Sequence, residues 1–317
     1  MANNGSNDLR PAIAIVGSIN ADLIAYSDEA NRIGNYVFGD GFRFNLGGKG
    51  LNQAVNVASS GAHTVLIGRV GKDVFGQKIL ADLESQGVKT EFISVDDEAH
   101  TGIGHVRVGA SGEYDTVVVN GANSNLSFGE VENALANLGP VSFGLMNYEV
   151  PSEVISASAQ ALRSVGAATI VNFSPVVPGV DYVFSDADYL VANAAEIRAL
   201  LGEVDGDVEI LADRIRALGA SNVVVTLGEA GSFGIDAAGN RHFAKSEPAA
   251  VANTIGAGDT FLAAFAVALQ AGADFPKALA FANAAASITC AKQESFLNRT
   301  EIESIASRFD LKISIDK

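Results

Sequence analysis

Short apolar runs alternate with amphipathic segments along most of the chain. The apolar runs have the length and continuity of buried parallel strands, and they are residues 12–16, 64–67, 143–146, 168–172, 189–191 and 223–227. The segments with helical periodicity are residues 51–60, 77–86, 151–165, 196–201 and 208–218, followed by two Ala-rich apolar helices at 260–271 and 276–291. This alternation predicts an α/β fold: a doubly wound, mostly parallel sheet with helices on both faces.

Two stretches interrupt the alternation. Residues 24–44 are rich in glycine and aromatic residues, and residues 101–119 contain two alternating runs on either side of Ala110-Ser111-Gly112-Glu113, which is typical of a β-hairpin. We therefore predict a small β-sheet lid made of residues 23–44 and 99–122. The α/β core would comprise residues 12–22, 45–98 and 123–317, and residues 1–11 would be a flexible tail.

Composition and charge restrict the classes of partner. The chain has 317 residues, of which 48% are hydrophobic and 18% charged, as in ordinary globular proteins, and its formal net charge is −16. A field of this sign repels nucleic acid and anionic membranes, so neither is an expected partner. ATP would be repelled as well, so a nucleotide site needs local backbone N–H groups, a helix N-terminus, Mg²⁺ or a lysine.

The remaining bulk features predict a cytoplasmic protein. No stretch of about 18 apolar residues occurs, and the polar N-terminus has no charged region followed by an apolar one. The single cysteine, Cys290, lies in an apolar run and is expected to be a small buried thiol.

The strongest candidate for chemistry is a glycine-rich turn that leads directly into an apolar helix. The N–H groups of Gly256, Ala257 and Gly258 can converge on an oxyanion, aided by the partial positive charge of the helix N-terminus. Asp259 follows in the first turn, and a carboxylate beside an anion hole is what phosphorylation of a hydroxyl group requires. The alternative is an ordinary helix start with Asp in a favoured position.

A second glycine cluster, residues 47–54, also opens a helix and carries the polar side chains of Lys49, Asn52 and Gln53 at its start. It is not a P-loop, because Gly50 stands where Ser or Thr must follow the lysine. A close backbone approach at Gly48 suits a hydroxylated ligand. The alternative is a tight turn that needs glycine for its backbone conformation.

A third polar cluster follows the first predicted strand. Asn20 and Asp22 alternate with apolar residues, and their side chains can bind vicinal hydroxyl groups. No G-x-G-x-x-G follows the strand, which disfavours a dinucleotide fold. An Asx-type turn remains the alternative.

In order and spacing, these three motifs resemble the ribokinase-like (PfkB) carbohydrate kinases over nearly the whole chain, most closely the ribokinase branch. The two family signatures correspond to residues 47–54 and to the segment that ends in Gly256-Ala257-Gly258-Asp259. The resemblance implies the α/β fold with a β-sheet lid predicted above. It also implies ATP-dependent phosphorylation of a sugar hydroxymethyl group, with D-ribose as the expected acceptor and Mg²⁺ as cofactor. The exposed strands of the lid could pair with a second subunit, so we expect a homodimer.

The resemblance also implies roles for individual residues. Asp259 would be the catalytic base, with the anion hole formed by Gly256, Ala257 and Gly258. The sugar hydroxyls would be bound by Asn20, Asp22, Gly48, Lys49, Asn52 and Glu149. The nucleotide would be bordered by Asn193, Thr226, Gly228, Gly231, Gly258 and Asn283, and Asn193 and Glu196 would organise Mg²⁺ largely through water. For this last group the alternatives are a helix capping box, a glycine turn without a ligand, and a satisfied buried amide at Asn283.

One position departs from the family pattern. Asn253 stands where ribokinases have an aspartate that helps to bind a monovalent cation, in a site that would include Asn253 and Ile255. Loss of that charge weakens such a site, so we predict weak or absent activation by K⁺.

Four other functions remain open: a kinase for sugar phosphates, a kinase for a different sugar, a nucleoside kinase, and a sensor without catalytic activity. Asp22 would lie close to a substrate phosphate, which argues against the first unless Arg43, Lys49 or Arg107 compensates. The presence of Asp259, Gly256, Gly258 and Glu196 argues against the sensor.

Overall fold

The computed structural model describes residues 10–109, 114–252, 254–292 and 294–313, and for residues 28–32 and 114 it describes the backbone alone. The tail 1–9, the predicted hairpin turn 110–113 and Asn253 lie outside the described residues. Strands are numbered in chain order as β1 Ala12–Val16, β2 Asn20–Ile33, β3 Tyr36–Gly47, β4 Thr64–Gly71, β5 Ile93–Asp96, β6 Gly102–Val108, β7 Tyr114–Val119, β8 Val141–Asn147, β9 Ala168–Asn172, β10 Tyr189–Asn193, β11 Asn222–Thr226, β12 Ser232–Ile235 and β13 Arg241–Ala244. The α-helices are α1 Lys49–Ser59, α2 Val74–Ser85, α3 Phe128–Asn137, α4 Ser152–Ser164, α5 Ala194–Leu200, α6 Val208–Ala217, α7 Ala257–Gln270, α8 Phe275–Cys290 and α9 Arg299–Arg308.

The main sheet has the strand order β13-β12-β11-β10-β9-β8-β1-β4-β5. The seven strands β5, β4, β1, β8, β9, β10 and β11 are parallel to one another, whereas β12 and β13 form an antiparallel edge. The first strand lies between β4 and β8, so the strand order reverses there. Such a reversal places a crevice beyond the carboxyl ends of the strands, which is where ligands bind in open α/β sheets.

The main sheet is buried on both faces, which explains its continuous apolar runs. In β1, Ile13 and Ile15 pack into one core with helices α1, α2, α7, α8 and α9, while Ala12, Ala14 and Val16 pack into a second core with α3, α4, α5 and α6. Every residue of this strand is fully buried. The predicted doubly wound fold is confirmed.

A separate four-stranded sheet has the order β3-β2-β6-β7, with β2 parallel to β6 and the other pairs antiparallel. It begins at Asn20 and its second strand ends at Gly47, so Asn20 and Asp22 belong to this small sheet. Residues 17–19 therefore connect the main sheet to the small sheet, and residue 48 connects the small sheet to helix α1. Within the described part of the chain, no helix is long and apolar enough to cross a membrane.

Candidate active site

A cleft of about 740 Å³ lies where the crevice of the main sheet meets the small sheet. The residues predicted to bind the sugar and take its proton all line it: Asn20, Asp22, Gly48, Lys49, Asn52, Glu149 and Asp259. They come from β2, the start of α1, the segment after β8 and the first turn of α7. The structure thus brings together in one cavity residues that are far apart in the sequence.

Glycines allow the start of α1 to approach the end of β1. Gly48 has φ 87°, and a Cβ there would lie 2.8 Å from the Ser18 carbonyl oxygen and 2.9 Å from the Asn20 nitrogen. A Cβ on Gly50 would lie 2.6 Å from the carbonyl carbon of Gly17. Side chains at these positions would push the helix away from the strand, so the glycines are required for the helix to open into the cleft.

The Asp259 carboxylate lies in the first turn of α7, after Gly256 in the left-handed conformation with φ 78°. Its Oδ2 accepts a 3.0 Å hydrogen bond from Asn52 Nδ2, and its Oδ1 accepts one of 3.1 Å from Gln53 Nε2. Burial raises the pKa of Asp259 above its ordinary value, and Lys49 and the two amides partly oppose that rise. A carboxylate of this kind is a stronger base than an exposed one.

The Asp22 carboxylate packs against Gly47 of β3 and Gly104 of β6, the two strands that flank β2. A Cβ on Gly47 or on Gly104 would lie 2.2 Å from an atom of the carboxyl group. Burial, followed by repulsion from Glu149 and Asp259, raises the pKa of Asp22 to about 7. The small sheet therefore holds a weakly acidic group at the wall of the cleft.

Asn20 is oriented by a second asparagine. Asn123 Nδ2 donates to Asn20 Oδ1 at 2.7 Å and to the Ile19 carbonyl at 3.2 Å, and Asn123 Oδ1 accepts from the Ile19 N–H at 2.8 Å. Both asparagines are buried. With its oxygen bound to Asn123, the Asn20 side chain is fixed where it lines the cleft.

Glu149 is oriented in a similar way. Its Oε2 accepts hydrogen bonds from Ser18 Oγ at 2.5 Å and from the Lys49 backbone N–H at 3.1 Å. Asn147 Oδ1 accepts from the Glu149 N–H at 3.2 Å. These hydrogen bonds link the segment after β8 to the segment after β1 and to the start of α1.

Gly258 of the predicted anion-binding turn faces open space, whereas Gly256 packs against Ser295. A Cβ on Gly258 would meet no heavy atom within 4 Å, and Gly256 and Gly258 both line the cleft. Because α7 begins at Ala257, the N–H groups of its first turn have no partner within the helix, and its dipole adds positive charge at this point. The Ala257 N–H donates to the Thr254 carbonyl at 3.3 Å, and Ala257 does not occur among the described residues that line the cleft. Ile255 also lines the cleft, but Asn253 lies outside the described residues, so the predicted monovalent-cation site stays a prediction.

Asn193 and Glu196 form a capping box. Asn193 Oδ1 accepts from the N–H groups of Ala195 and Glu196 at 2.9 and 2.8 Å, and Glu196 Oε2 accepts from the Asn193 N–H at 2.8 Å. Asn193 also lines the cleft. Direct ligation of a metal by these oxygens would compete with the cap, whereas contact through water leaves it intact, so the pair fits a hydrated Mg²⁺.

The other predicted nucleotide residues lie around the antiparallel edge of the main sheet. Asn283 is buried, and its Nδ2 donates to Ser232 Oγ at 3.0 Å and to the Ala244 carbonyl at 2.8 Å. A Cβ on Gly231 would lie 2.1 Å from that same carbonyl. Among the described residues that line the cleft, Thr226, Gly228, Gly231 and Asn283 do not occur, so their contact with a nucleotide stays a prediction.

Three residues that support this site had been given no role in the sequence analysis: Ser18, Gln53 and Asn123. Each is buried and acts through a hydrogen bond on a residue of the cleft. Gln53 follows Asn52 directly, and Ser18 lies two positions before Asn20, which was a usable signal. Asn123 had none, because its partner lies 103 positions away in the chain.

The fold matches solved structures of ribokinases. The ribokinase of Thermotoga maritima superposes with a TM-score of 0.85 at 27% identity, over 94% of this chain and 99% of that one. The ribokinase of Arabidopsis thaliana, solved in complex with ribose and ATP, gives a TM-score of 0.82 at 28% identity, over 93% of this chain and 98% of that one.

Sequence comparison leads to the same class. The model of the pfkB family carbohydrate kinases matches residues 10–300, and the ribokinase of Bacillus subtilis is 34% identical over 93% of this chain and 99% of its own length. The chain therefore belongs to the pfkB family of carbohydrate kinases. The resemblance identified from the sequence motifs is confirmed, as is the assignment to the kinases.

Proposed function

We propose that this protein transfers the terminal phosphoryl group of ATP to the hydroxymethyl group of D-ribose, giving D-ribose 5-phosphate. The observation that carries the proposal is the convergence of the predicted sugar residues and Asp259 in one cleft of a pfkB-family fold. The relative solved with ribose and ATP supports this choice of substrates.

Polar and charged side chains would hold the sugar on several sides. Asp22 and Glu149 are acceptors for hydroxyl groups, and Asn20 and Asn52 can both donate and accept. Hydrogen bonds to charged acceptors are stronger than neutral ones, which favours a polyhydroxylated substrate in this acidic wall. Lys49 offsets part of the negative charge of the carboxylates around it.

Asp259 would accept the proton of the attacking hydroxyl as the new O–P bond forms. The N–H groups of residues 256–258 would stabilise charge on the phosphoryl oxygens, aided by the positive end of α7. Phosphoryl transfer depends mainly on positioning and charge stabilisation, and both are present at this one turn.

ATP would lie with its phosphates at this turn and its remainder toward Thr226, Gly228, Gly231 and Asn283. Asn193 and Glu196 would hold Mg²⁺ through water at the edge of the cleft. When bound, the ion would neutralise charge on the phosphates, which the acidic protein requires. For K⁺ we keep the expectation of weak or absent activation; equal rates in K⁺ and in a bulky organic cation would support it, and a large K⁺-specific gain would refute it.

The small sheet would act as a lid over the sugar and as the interface of a homodimer. A closed lid would exclude water and so limit hydrolysis of ATP. Both of its edge strands expose apolar side chains, with Tyr36 73%, Phe42 66% and Val117 59% exposed. Apolar surface on strand edges is typical of sites that pair with another chain. Light scattering should give the mass of a dimer, and a monomer at micromolar concentration would contradict this interface.

The arrangement of charges disfavours a sugar phosphate as substrate. Arg107, one of the three candidate counter-charges, is paired with Asp115 at 2.6 Å and does not occur among the described residues lining the cleft. Arg43 and Lys49 line it, together with Asp22, Glu149 and Asp259. A substrate phosphate would therefore meet more negative than positive side chains.

The proposal is tested with a coupled assay for ADP formation on a panel of acceptors. The panel contains ribose, deoxyribose, fructose, fructose phosphates and nucleosides. We expect the highest kcat/KM with D-ribose and a product identified as the 5-phosphate. A higher kcat/KM for a nucleoside or a sugar phosphate, or formation of ADP only by hydrolysis, would overturn it.

A further inference from the structure

Two buried amides hold the carboxylate of Asp259 from opposite oxygens. Asn52 Nδ2 binds Oδ2 and Gln53 Nε2 binds Oδ1, at 3.0 and 3.1 Å. The two residues differ in their access to the cleft. Asn52 lines it, whereas Gln53 is fully buried and is absent from the described lining residues. Gln53 therefore reaches Asp259 from the protein interior and is not placed to bind sugar.

We propose that Gln53 is a positioning residue, whose amide N–H fixes Oδ1 of Asp259 and keeps this carboxylate in the charged form that can accept a proton. The inference rests on the proposed role of Asp259 as the base. A protonated Asp259 could not take the proton of the sugar hydroxyl, so a donor that favours the charged form supports the reaction directly.

The surroundings of Asp259 make such a donor necessary. Burial favours the neutral acid, and so does the negative charge of Glu149 after β8. Asp22 on β2 is a third carboxyl group that interacts with Asp259. Lys49 at the start of α1 is the charged group that opposes them. The N–H groups of Asn52 and Gln53 complete the stabilisation of the anion, since hydrogen bonds to charged groups are about twice as strong as neutral ones.

The orientation of both amides supports a role in holding the anion. Asn52 Oδ1 and Gln53 Oε1 are buried and have no hydrogen-bond partner among the described residues. An unpaired buried carbonyl costs free energy. Rotation of either amide would instead turn its oxygen toward the carboxylate, where two acceptors repel each other, so the observed orientation is the one that an ionised Asp259 selects.

The proposal predicts a change in the titration of Asp259. The replacement Gln53→Met keeps the length of the side chain and removes the donor, so Asp259 should titrate about one to two pH units higher. The titration is followed by carboxyl ¹³C NMR of aspartate-labelled protein, with the Asp259 signal assigned by its loss in Asp259→Asn. The acid limb of the kcat profile for ribose should move in the same direction, while KM for ribose stays within about twofold.

The matched control is Asn56→Leu, one helical turn further along α1. Asn56 is also a buried amide, which donates to the Asn52 carbonyl at 2.9 Å and accepts from the Leu297 N–H at 3.0 Å, and it has no recorded hydrogen bond to Asp259. This variant should lose thermal stability and leave the titration of Asp259 in place.

Each result decides between the alternatives. An Asp259 signal that titrates as in the wild type in Gln53→Met, or an equal shift in Asn56→Leu, would overturn the role of Gln53. If Gln53→Met does not fold, Gln53→Glu keeps the shape and places a second carboxyl group against Asp259, which should raise the acid limb of kcat; an unchanged limb would also overturn the role. Failure of the proposed function has a different signature: the wild type would then not phosphorylate ribose, whereas the Asp259 signal would still titrate higher in Gln53→Met than in the wild type.

Discussion

The side-chain amide of Asn123 donates a 2.7 Å hydrogen bond to the side-chain oxygen of Asn20. Asn123 lies in the 3₁₀ turn Gly121–Asn125, where the chain leaves the small sheet, and Asn20 is the residue where the chain enters it. Two further hydrogen bonds join Asn123 to the backbone of Ile19. One buried asparagine thus joins the first entry of the chain into the small sheet to its last exit, and fixes the direction of a sugar-binding candidate.

Replacement of Asn123 by alanine should weaken sugar binding more than it slows turnover. Asn20 would lose the partner of its oxygen and could rotate away from the sugar, and one hydrogen bond of this kind is worth about 1 kcal/mol, or about a fivefold to tenfold rise in KM for ribose. Steady-state kinetics of Asn123→Ala with ribose and ATP measure the effect.

The control for this variant is Asn125→Ala in the same turn. Asn125 donates to Asp96 at 2.9 Å and has no recorded hydrogen bond to Asn20. The variant Asn125→Ala should lower thermal stability without changing KM for ribose. Equal effects of the two variants on KM would mean that the turn acts only through stability.

Gly104 is expected to tolerate no side chain, although its backbone conformation would accept one. The methyl group in Gly104→Ala would lie 2.2 Å from Asp22 Oδ1, so the carboxylate must move. Loss of its hydrogen bonds to the sugar should lower kcat/KM for ribose by about 10- to 100-fold. The comparison is Gly41→Ala in the same sheet, where the added Cβ would meet the Tyr26 ring at an ordinary 3.5 Å. Similar kcat/KM values for the two variants would contradict the inference that sugar binding depends on the packing of the Asp22 carboxylate against Gly104.

The fold and the local motifs were predictable because each is encoded in nearby residues. A run such as residues 12–16, buried on both faces, can only be a central strand or a buried helix, and its length decides for the strand. The turn before Asp259 was predictable because glycine at 256 permits the left-handed conformation that opens α7.

Elements with weak local patterns escaped prediction. Helix α9, Arg299–Arg308, is mostly polar and buries Ile302, Ile305 and Ala306, so its apolar face is too narrow to stand out. The antiparallel edge strands β12 and β13 have four residues each, which is too short for a clear period. The contacts of Asn123 depend on how distant segments meet, and no local pattern records that.

Replacement of Asp259 by asparagine tests the base. The amide keeps the shape of the side chain but cannot accept the proton, so turnover should fall by about 10²- to 10⁴-fold while the Kd for ATP stays nearly unchanged. Single-turnover kinetics and calorimetric titration with ATP separate the two effects. Asp207→Asn, which makes the same change at the exposed start of α6, should leave both unchanged. A variant at Asp259 that retains half its rate would remove this role.

The raised pKa of Asp22 makes this site a source of instability at high pH. Its folded-state pKa is about 7 against an ordinary 3.8, so well below pH 3.8 both states are protonated and the carboxyl group does not affect stability. As pH rises from about 4 to 7, the unfolded chain ionises while the folded protein keeps its proton, so stability falls, by an upper limit of about 4 kcal/mol above pH 7. Asp22→Asn removes this penalty and should raise the melting temperature clearly at pH 8 and less at pH 5, while phosphorylation of ribose is lost.

Asp96→Asn provides the comparison of opposite sign. Hydrogen bonds from the Ala99 N–H, the Asn125 side chain and the Glu98 N–H, together with Arg69, lower the pKa of Asp96, so its charge stabilises the folded protein above the ordinary pKa of an aspartate. That variant should be destabilised at pH 8 and approach the wild type as the pH falls below 4. Calorimetric melting of both variants across this range checks the two signs together. If Asp22→Asn melts no higher than the wild type at pH 8, the folded protein does not raise the pKa of Asp22. The cleft would then be solvated well enough for Asp22, Glu149 and Asp259 to be ionised together.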